Sequence, residues 1–265
     1  MNQAAASHSI SARFSSAAQT YHQESNVQRA VAEDLAASML PREEIDGILE
    51  IGCGTGFLTE LLRRRFPRAV IYAVDIARPM IDTARERLGE CARIRWHAAD
   101  ARQFRPGRDF PLIISSSALH WMTPVSETVK RLAGMLEPGG DFVSALMVRG
   151  TLEELHAART CLFPDKVAPV CLPDAEEVLE VIAKAGLRTR GSRLEVFRER
   201  YGSASEFLRS LNRQGVTGAA NGGCKLLTRT QLRKLIAYYD DRFAAPAGGV
   251  SATFRVLFLT ARKEK

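Results

Sequence analysis

Short apolar runs alternate along this chain with longer stretches in which apolar residues recur every three or four positions. From residue 26 to residue 39 the apolar set Val27, Ala30, Val31, Leu35 and Met39 has helical spacing, and Pro41 predicts the end of that helix. "GILEIG" then predicts a buried strand and "GFLTELLRRRF" a helix that stops before Pro67. "AVIYAVD" and "ARPMIDTARERLG" repeat the strand–helix pair, with Gly89 as the helix stop. "RIRWHAAD", "FPLIISSSAL" and "DFVSALMV" predict three more strands, with the helix "VSETVKRLAGML" and the turn "EPGG" before the last of them. Strands alternating with helices of about ten residues imply βαβ units, hence a mostly parallel sheet with helices on both faces. Right-handed crossovers place the ends of the first, second and fourth strands along one rim, the default ligand site.

After Arg149 the alternation loosens. "PDAEEVLEVIAKAGL" predicts a helix stopped by Gly186, "SRLEVFRER" a strand, residues 203–245 a helical insertion, and "SATFRVLFLTARK" a strong terminal strand. The expectation is one α/β domain over 1–265 with a seven-stranded, Rossmann-like sheet. Residues 1–40 form an N-terminal flap or helix, 45–148 the ligand-binding core, and 150–250 the substrate-side helices with a basic lid near the C-terminus. Residues 251–263 form the closing strand.

Composition alters this picture in three places. The 265 residues are 46% hydrophobic and 25% charged, as in an ordinary globular protein, and no apolar run approaches the ~18 residues that span a bilayer. No membrane partner is expected. The five cysteines (Cys53, Cys91, Cys161, Cys171, Cys224) are odd in number and form no C-x-x-C pair, which argues against a disulfide framework or a zinc site and fits a reducing cytoplasm. The net charge of +7 is uneven: residues 1–140 carry +1 and residues 141–265 carry +6. Within 182–240 stand 12 basic and 4 acidic residues, among them Arg209, Arg213, Lys225, Arg229, Arg233 and Lys234. Such asymmetry suits an anionic partner. The segment is poor in aromatics and holds no nucleic-acid motif, so an acidic protein is the expected partner rather than RNA.

The chemistry concentrates in "ILEIGCGTGFL". Gly52, Gly54 and Gly56 follow a strand and precede a helix, the context of a nucleotide site, in the tight spacing G-x-G-x-G. Glu50 lies two residues ahead of the first glycine. A pyrophosphate there would meet a like charge at a cost of a few kcal/mol, whereas a cationic ligand would be stabilised. S-adenosylmethionine carries a sulfonium and an ammonium, and its carboxylate can sit toward the helix N-terminus. Asp75 ends the second strand 25 residues after Glu50, where an acid can accept both ribose hydroxyls. Asp100 ends the third, in reach of an adenine amino group.

With these pieces in place the chain resembles class I S-adenosylmethionine-dependent methyltransferases, through "LEIGCGTG", "VDIARPMIDTAR", "HAADA" and "LEPGG" over about residues 45–145. The resemblance implies that Glu50, Gly52, Gly54 and Gly56 lie along the methionine part and that Asp75 takes the ribose. Asp100 and Ala101 would edge the adenine, with Ile76 and Met80 on its faces. The flanks "ARFSSAAQTYHQESNVQR", "SSALHWM", "VRGTLEELHAA" and "LLTRTQLRKL" are similar to one family within that class, the malonyl-[acyl-carrier-protein] O-methyltransferases of biotin synthesis.

This resemblance implies methyl esterification of the free carboxylate of a malonyl thioester on acyl carrier protein. That carboxylate is already ionised at pH 7, so no catalytic base is needed. Carrier proteins are acidic, which suits the basic 182–240 segment. Arg149, after the fifth strand, and Tyr21, from the flap, are the expected donors to the substrate carboxylate, with His22 and Trp121 as further candidates. Another small carboxylate, a quinone precursor or RNA remain alternative substrates.

Overall fold

The computed structural model describes residues 3–40, 44–166, 172–216 and 227–264; Pro41, Cys171, Cys224 and Lys225 lie outside them. Five parallel strands, β1 (Gly47–Ile51), β2 (Val70–Asp75), β3 (Ile94–Ala98), β4 (Phe110–Ser116) and β5 (Leu136–Met147), form the larger part of one sheet. β6 (Leu187–Tyr201) and β7 (Val250–Lys263) complete it in the order β3-β2-β1-β4-β5-β7-β6, with β7 antiparallel to both of its neighbours. The last strand of the chain is thus wedged between the two made before it.

All five residues of β1 are buried, because a central parallel strand is covered on both faces. Ile48 faces a cluster with Val31 and Leu35 of α2 (Asn26–Ser38) and Leu62 of α3 (Phe57–Arg65). Leu49 and Ile51 face the opposite cluster, with Leu132 of α5 (Val125–Gly134) and Ile182 of α7 (Ala175–Lys184). The expected turn "EPGG" lies inside β5: pairing jumps from Phe110↔Leu136 to Leu112↔Asp141, so the glycines form a bulge rather than a stop.

The helical insertion after β6 is α8 (Ala204–Arg213) and α9 (Arg229–Arg242). Thr228 and Gln231 start α9 with a reciprocal capping box, Gln231 N–H to Thr228 Oγ1 at 3.3 Å and Thr228 N–H to Gln231 Oε1 at 3.0 Å. Phe207, Tyr239 and Tyr201 pack these helices onto the sheet. β6 is an edge strand whose exposed Leu194 and Val196 are flanked by the exposed arginines Arg190, Arg198 and Arg200.

Residues 3–24 supply the remaining wall. α1 (Gln3–Glu24) runs across the C-terminal rim of the sheet and packs against α4 (Arg78–Leu88) and α8. On the α4 side Ser11 Oγ donates to the Ile76 carbonyl at 3.2 Å. On the α8 side Thr20 Oγ1 donates to the Arg213 carbonyl at 2.7 Å, Arg213 pairs with Glu24 at 2.9 Å, and Gln214 Nε2 donates to the Glu24 carbonyl at 2.8 Å. No helix among the described residues is long and apolar enough to cross a membrane.

Candidate active site

Between α1 and the strand ends lies a cleft that gathers residues from the ends of four strands. Its floor is Gly52 and Gly54 after β1, Asp75 and Ile76 at the end of β2, Ala99 to Arg102 after β3, and Ser116 to Ala118 at the end of β4. Ile10, Phe14 and Tyr21 of α1 form the roof, and Trp121 and Met122 close one side. Phe14 presents its ring edge-on to Trp121 at 5.4 Å between centroids.

The glycine loop is tight for a steric reason. Gly52 has φ +72, and a Cβ there would lie 2.2 Å from the Cβ of Ala118, so only glycine lets the β1 loop approach the β4 loop. Gly56 serves a different purpose from the expected one. It does not line the cleft; it is the N-cap of α3, and a Cβ there would press on Leu88 and Ala84 of α4 at 3.0 and 3.3 Å.

The three strand-end acids have three different environments. Asp75 lines the cleft, and its Oδ2 accepts the Gly54 N–H at 2.9 Å while Oδ1 accepts the Ala77 N–H at 2.8 Å. Burial raises its pKa, against the pull of those N–H groups. Asp100 also lines the cleft but is already engaged: Arg102 grips it with Nε at 3.0 Å and Nη2 at 2.8 Å, and Ser7 Oγ of α1 donates to it at 3.0 Å. Burial alone would raise the Asp100 pKa, yet the Arg102 hydrogen bonds hold it below the ordinary value. The expected acceptor for an adenine amino group thus lines the cleft and also latches β3 to the roof.

Glu50 corrects the sequence reading most. It is 1% exposed and does not line the cleft. As an even position of β1 it shares the side of Ile48, and its Oε2 accepts the Thr59 hydroxyl of α3 at 2.7 Å. Burial pushes its pKa up to about 8. Glu50 ties β1 to α3 beneath the glycine loop.

Of the substrate candidates, Tyr21 and Trp121 stand in the cleft. Burial raises the Tyr21 pKa well above its usual value, so the phenol stays a donor. His22, the next residue on α1, points elsewhere, stacking on Phe57 at 4.2 Å with Nδ1 3.2 Å from Thr55 Oγ1. Burial, with Arg87 and Arg29 nearby, lowers its pKa to about 4. Arg149 is also absent from the cleft; its Nε donates to Asp174 at 2.6 Å on the surface. Ile76, Met80 and Ala101 line the cleft as expected, whereas Arg102, Phe14, Ser116 and Ser117 were not foreseen. For the serines the signal was present: three in a row at a strand end is costly in a core unless the hydroxyls find partners.

Helices on both faces of a mostly parallel sheet, a glycine loop and an acid at the first two strand ends, and an antiparallel β7 set between β5 and β6 together give the fold of a class I methyltransferase. Residues 48–140 match the family model described as a methyltransferase domain. The YcgJ protein of Bacillus subtilis has the same fold, with a TM-score of 0.61 at 17% identity over 89% of this chain and 99% of that one. Two relatives, from Anoxybacillus flavithermus and Paenibacillus sp., both bear the name malonyl-[acyl-carrier protein] O-methyltransferase. The first is 32% identical over 93% of this chain and 94% of its own, the second 32% over 93% and 95%. The chain belongs to the malonyl-[acyl-carrier protein] O-methyltransferase family.

Proposed function

We propose that this protein uses S-adenosylmethionine to form the methyl ester of the free carboxylate of malonyl-acyl carrier protein, in the cytoplasm, as an early step toward biotin. The observation that carries this reading is the reach of the similarity. It extends over 93% of the chain, well past the methyltransferase domain at 48–140.

The cleft suits the cofactor. Its charged lining is Asp75, Asp100 and Arg102, and the last two neutralise each other, leaving one negative charge for a cationic ligand. Asp75 would hold the ribose, Gly52 and Gly54 the methionine part, and Ile76, Met80 and Ala101 the adenine. When bound, S-adenosylmethionine supplies a methyl group activated by its sulfonium. The protein's own task is then to align the carboxylate and exclude water, which the roof of Ile10, Phe14 and Tyr21 is placed to do.

The carrier protein is the finer part of the proposal. Exposed Arg209, Arg229, Arg233 and Lys234 on α8 and α9, with the arginines of β6, give the C-terminal half a positive surface for an acidic partner. Arg213 contributes less, since Glu24 already holds it. The test is a methylation assay comparing malonyl carrier protein, malonyl-coenzyme A, free malonate and RNA. The expected order has malonyl carrier protein first, with a KM that rises with salt. Preferential methylation of RNA or of free malonate would overturn the reading.

A further inference from the structure

Three consecutive serines end β4, and they are not equivalent. Ser115 Oγ donates to the Ile51 carbonyl at 2.9 Å and is accounted for. Ser116 and Ser117 line the cleft, yet their hydroxyl oxygens are shielded from solvent and have no hydrogen-bond partner. Ser25 and Ser144 share that condition among the described residues but lie outside the cleft. A buried hydroxyl without a partner is rare, and in a residue that lines a ligand cleft a small rotation of the side chain lets a ligand supply the partner.

Ser117 adds a second, independent observation. Its φ of +55 lies in the left-handed region, where a serine is uncommon. The conformation is held by the Ser117 N–H, which donates to the Ala145 carbonyl of β5 at 2.8 Å, and by the seat of Ala118 against Gly52. Strain of this kind persists where the surrounding structure enforces it, and it collects at sites of function. Here it falls on a residue that lines the cleft at the end of β4.

We infer that Ser116 and Ser117 form the subsite for the substrate carboxylate, a malonyl-type carboxylate in the proposed reaction, and that neutral hydroxyls rather than an arginine hold it. The inference rests on the proposed function for the identity of the substrate. The rim order supports the assignment: Asp75 and the Asp100–Arg102 pair occupy the β2 and β3 end, and β4 lies across β1 from them. Arg149 is engaged outside the cleft, and Arg102, the cation in the lining, is spent on Asp100. A hydroxyl donates one hydrogen bond and leaves the rest of the carboxylate free to react, whereas a guanidinium fork would hold both oxygens. Tyr21, on the roof, is placed to add a third neutral donor.

The experiment separates the hydroxyl from the backbone strain. Ser117→Gly removes the donor while relieving the left-handed conformation, and Ser117→Asn keeps that conformation with an amide donor. With wild-type protein first shown to methylate malonyl carrier protein, Ser116→Ala and Ser117→Gly should each raise its KM at least fivefold. The double variant should exceed either, and Ser117→Asn should recover part of the loss. Calorimetric Kd for S-adenosylmethionine should stay within twofold, and the Tm of Ser117→Gly should not fall. A double variant with KM and kcat within twofold of wild type overturns the assignment. So does a variant that loses cofactor affinity while keeping its KM, because the hydroxyls would then serve the cofactor. Failure of the wild-type protein to methylate malonyl carrier protein would instead remove the proposed function on which the inference stands.

Discussion

The two ends of the cleft satisfy their polar groups in opposite ways. At the β2–β3 end both acids are complete before any ligand arrives: Asp75 holds two backbone N–H groups, and Asp100 holds Arg102 and Ser7. At the β4 end the hydroxyls of Ser116 and Ser117 have no partner. The first end is charged and prearranged, which suits a ligand part that must be gripped the same way in every turnover. The second is neutral and incomplete, which suits a group that must be held and still react. The difference separates holding from reacting within one site.

The sharpest way to break this contrast is at Asp75. Asp75→Ala should weaken S-adenosylmethionine binding about tenfold to a hundredfold, the roughly 1.5–3 kcal/mol of a charge-assisted hydrogen bond. Asp75→Asn, which keeps an acceptor, should lose less. Wild-type affinity by calorimetry in a folded Asp75→Ala variant would show that the charged end grips nothing.

Glu50 tests whether the charge beneath the glycine loop is real at neutral pH. Its folded pKa of about 8 stands above the 4.5 of the free side chain, so between those values the folded state binds the extra proton. Its contribution to stability is therefore full below pH 4.5 and is lost as pH rises toward 8. Wild type should lose roughly 2 kcal/mol between pH 6 and 8 through this group, and Glu50→Gln should lose that much less. Parallel pH profiles of denaturant stability for the two proteins would mean that Glu50 is ionised throughout.

Phe14 spans both ends from the roof. Phe14→Ala removes an edge-on ring contact worth about 0.5–1.5 kcal/mol, so cofactor release in stopped flow should quicken about twofold to tenfold. An unchanged rate would mean that the roof does not close on the cofactor. Arg149→Ala should have the smallest effect. Its partner Asp174 is solvent-facing, and exposed pairs contribute about 0–1 kcal/mol. A tenfold rise in KM for malonyl carrier protein would put a cation at the neutral end and end the comparison.

The glycine loop, Asp75 and the βαβ order were readable because each depends on local spacing: a strand ends, a turn needs positive φ, a helix begins. What stayed hidden depends on partners far along the chain. Tyr21 and His22 are adjacent, yet one enters the cleft and the other stacks on Phe57, a matter of which helix face meets which loop. Arg149 is neutralised by Asp174 from the start of α7, and Glu50 faces Thr59 because α3 covers that side of β1. Ser116 and Ser117 look like any polar strand end until the surrounding walls shut out water. The class of the protein was therefore legible in the sequence, whereas the carboxylate end of its site was not.

The wedged position of β7 sets the order in which a nascent chain can finish. Glu24 waits for Gln214, 190 residues later, which at 5–20 residues per second of synthesis is roughly 10–40 s. The 14 residues of β7 come later still, and until they emerge β5 and β6 each present an open edge with nothing between them. A ribosome stalled before residue 250 would hold a complete glycine loop and the α8 partners of its first helix on a sheet still open at two edges.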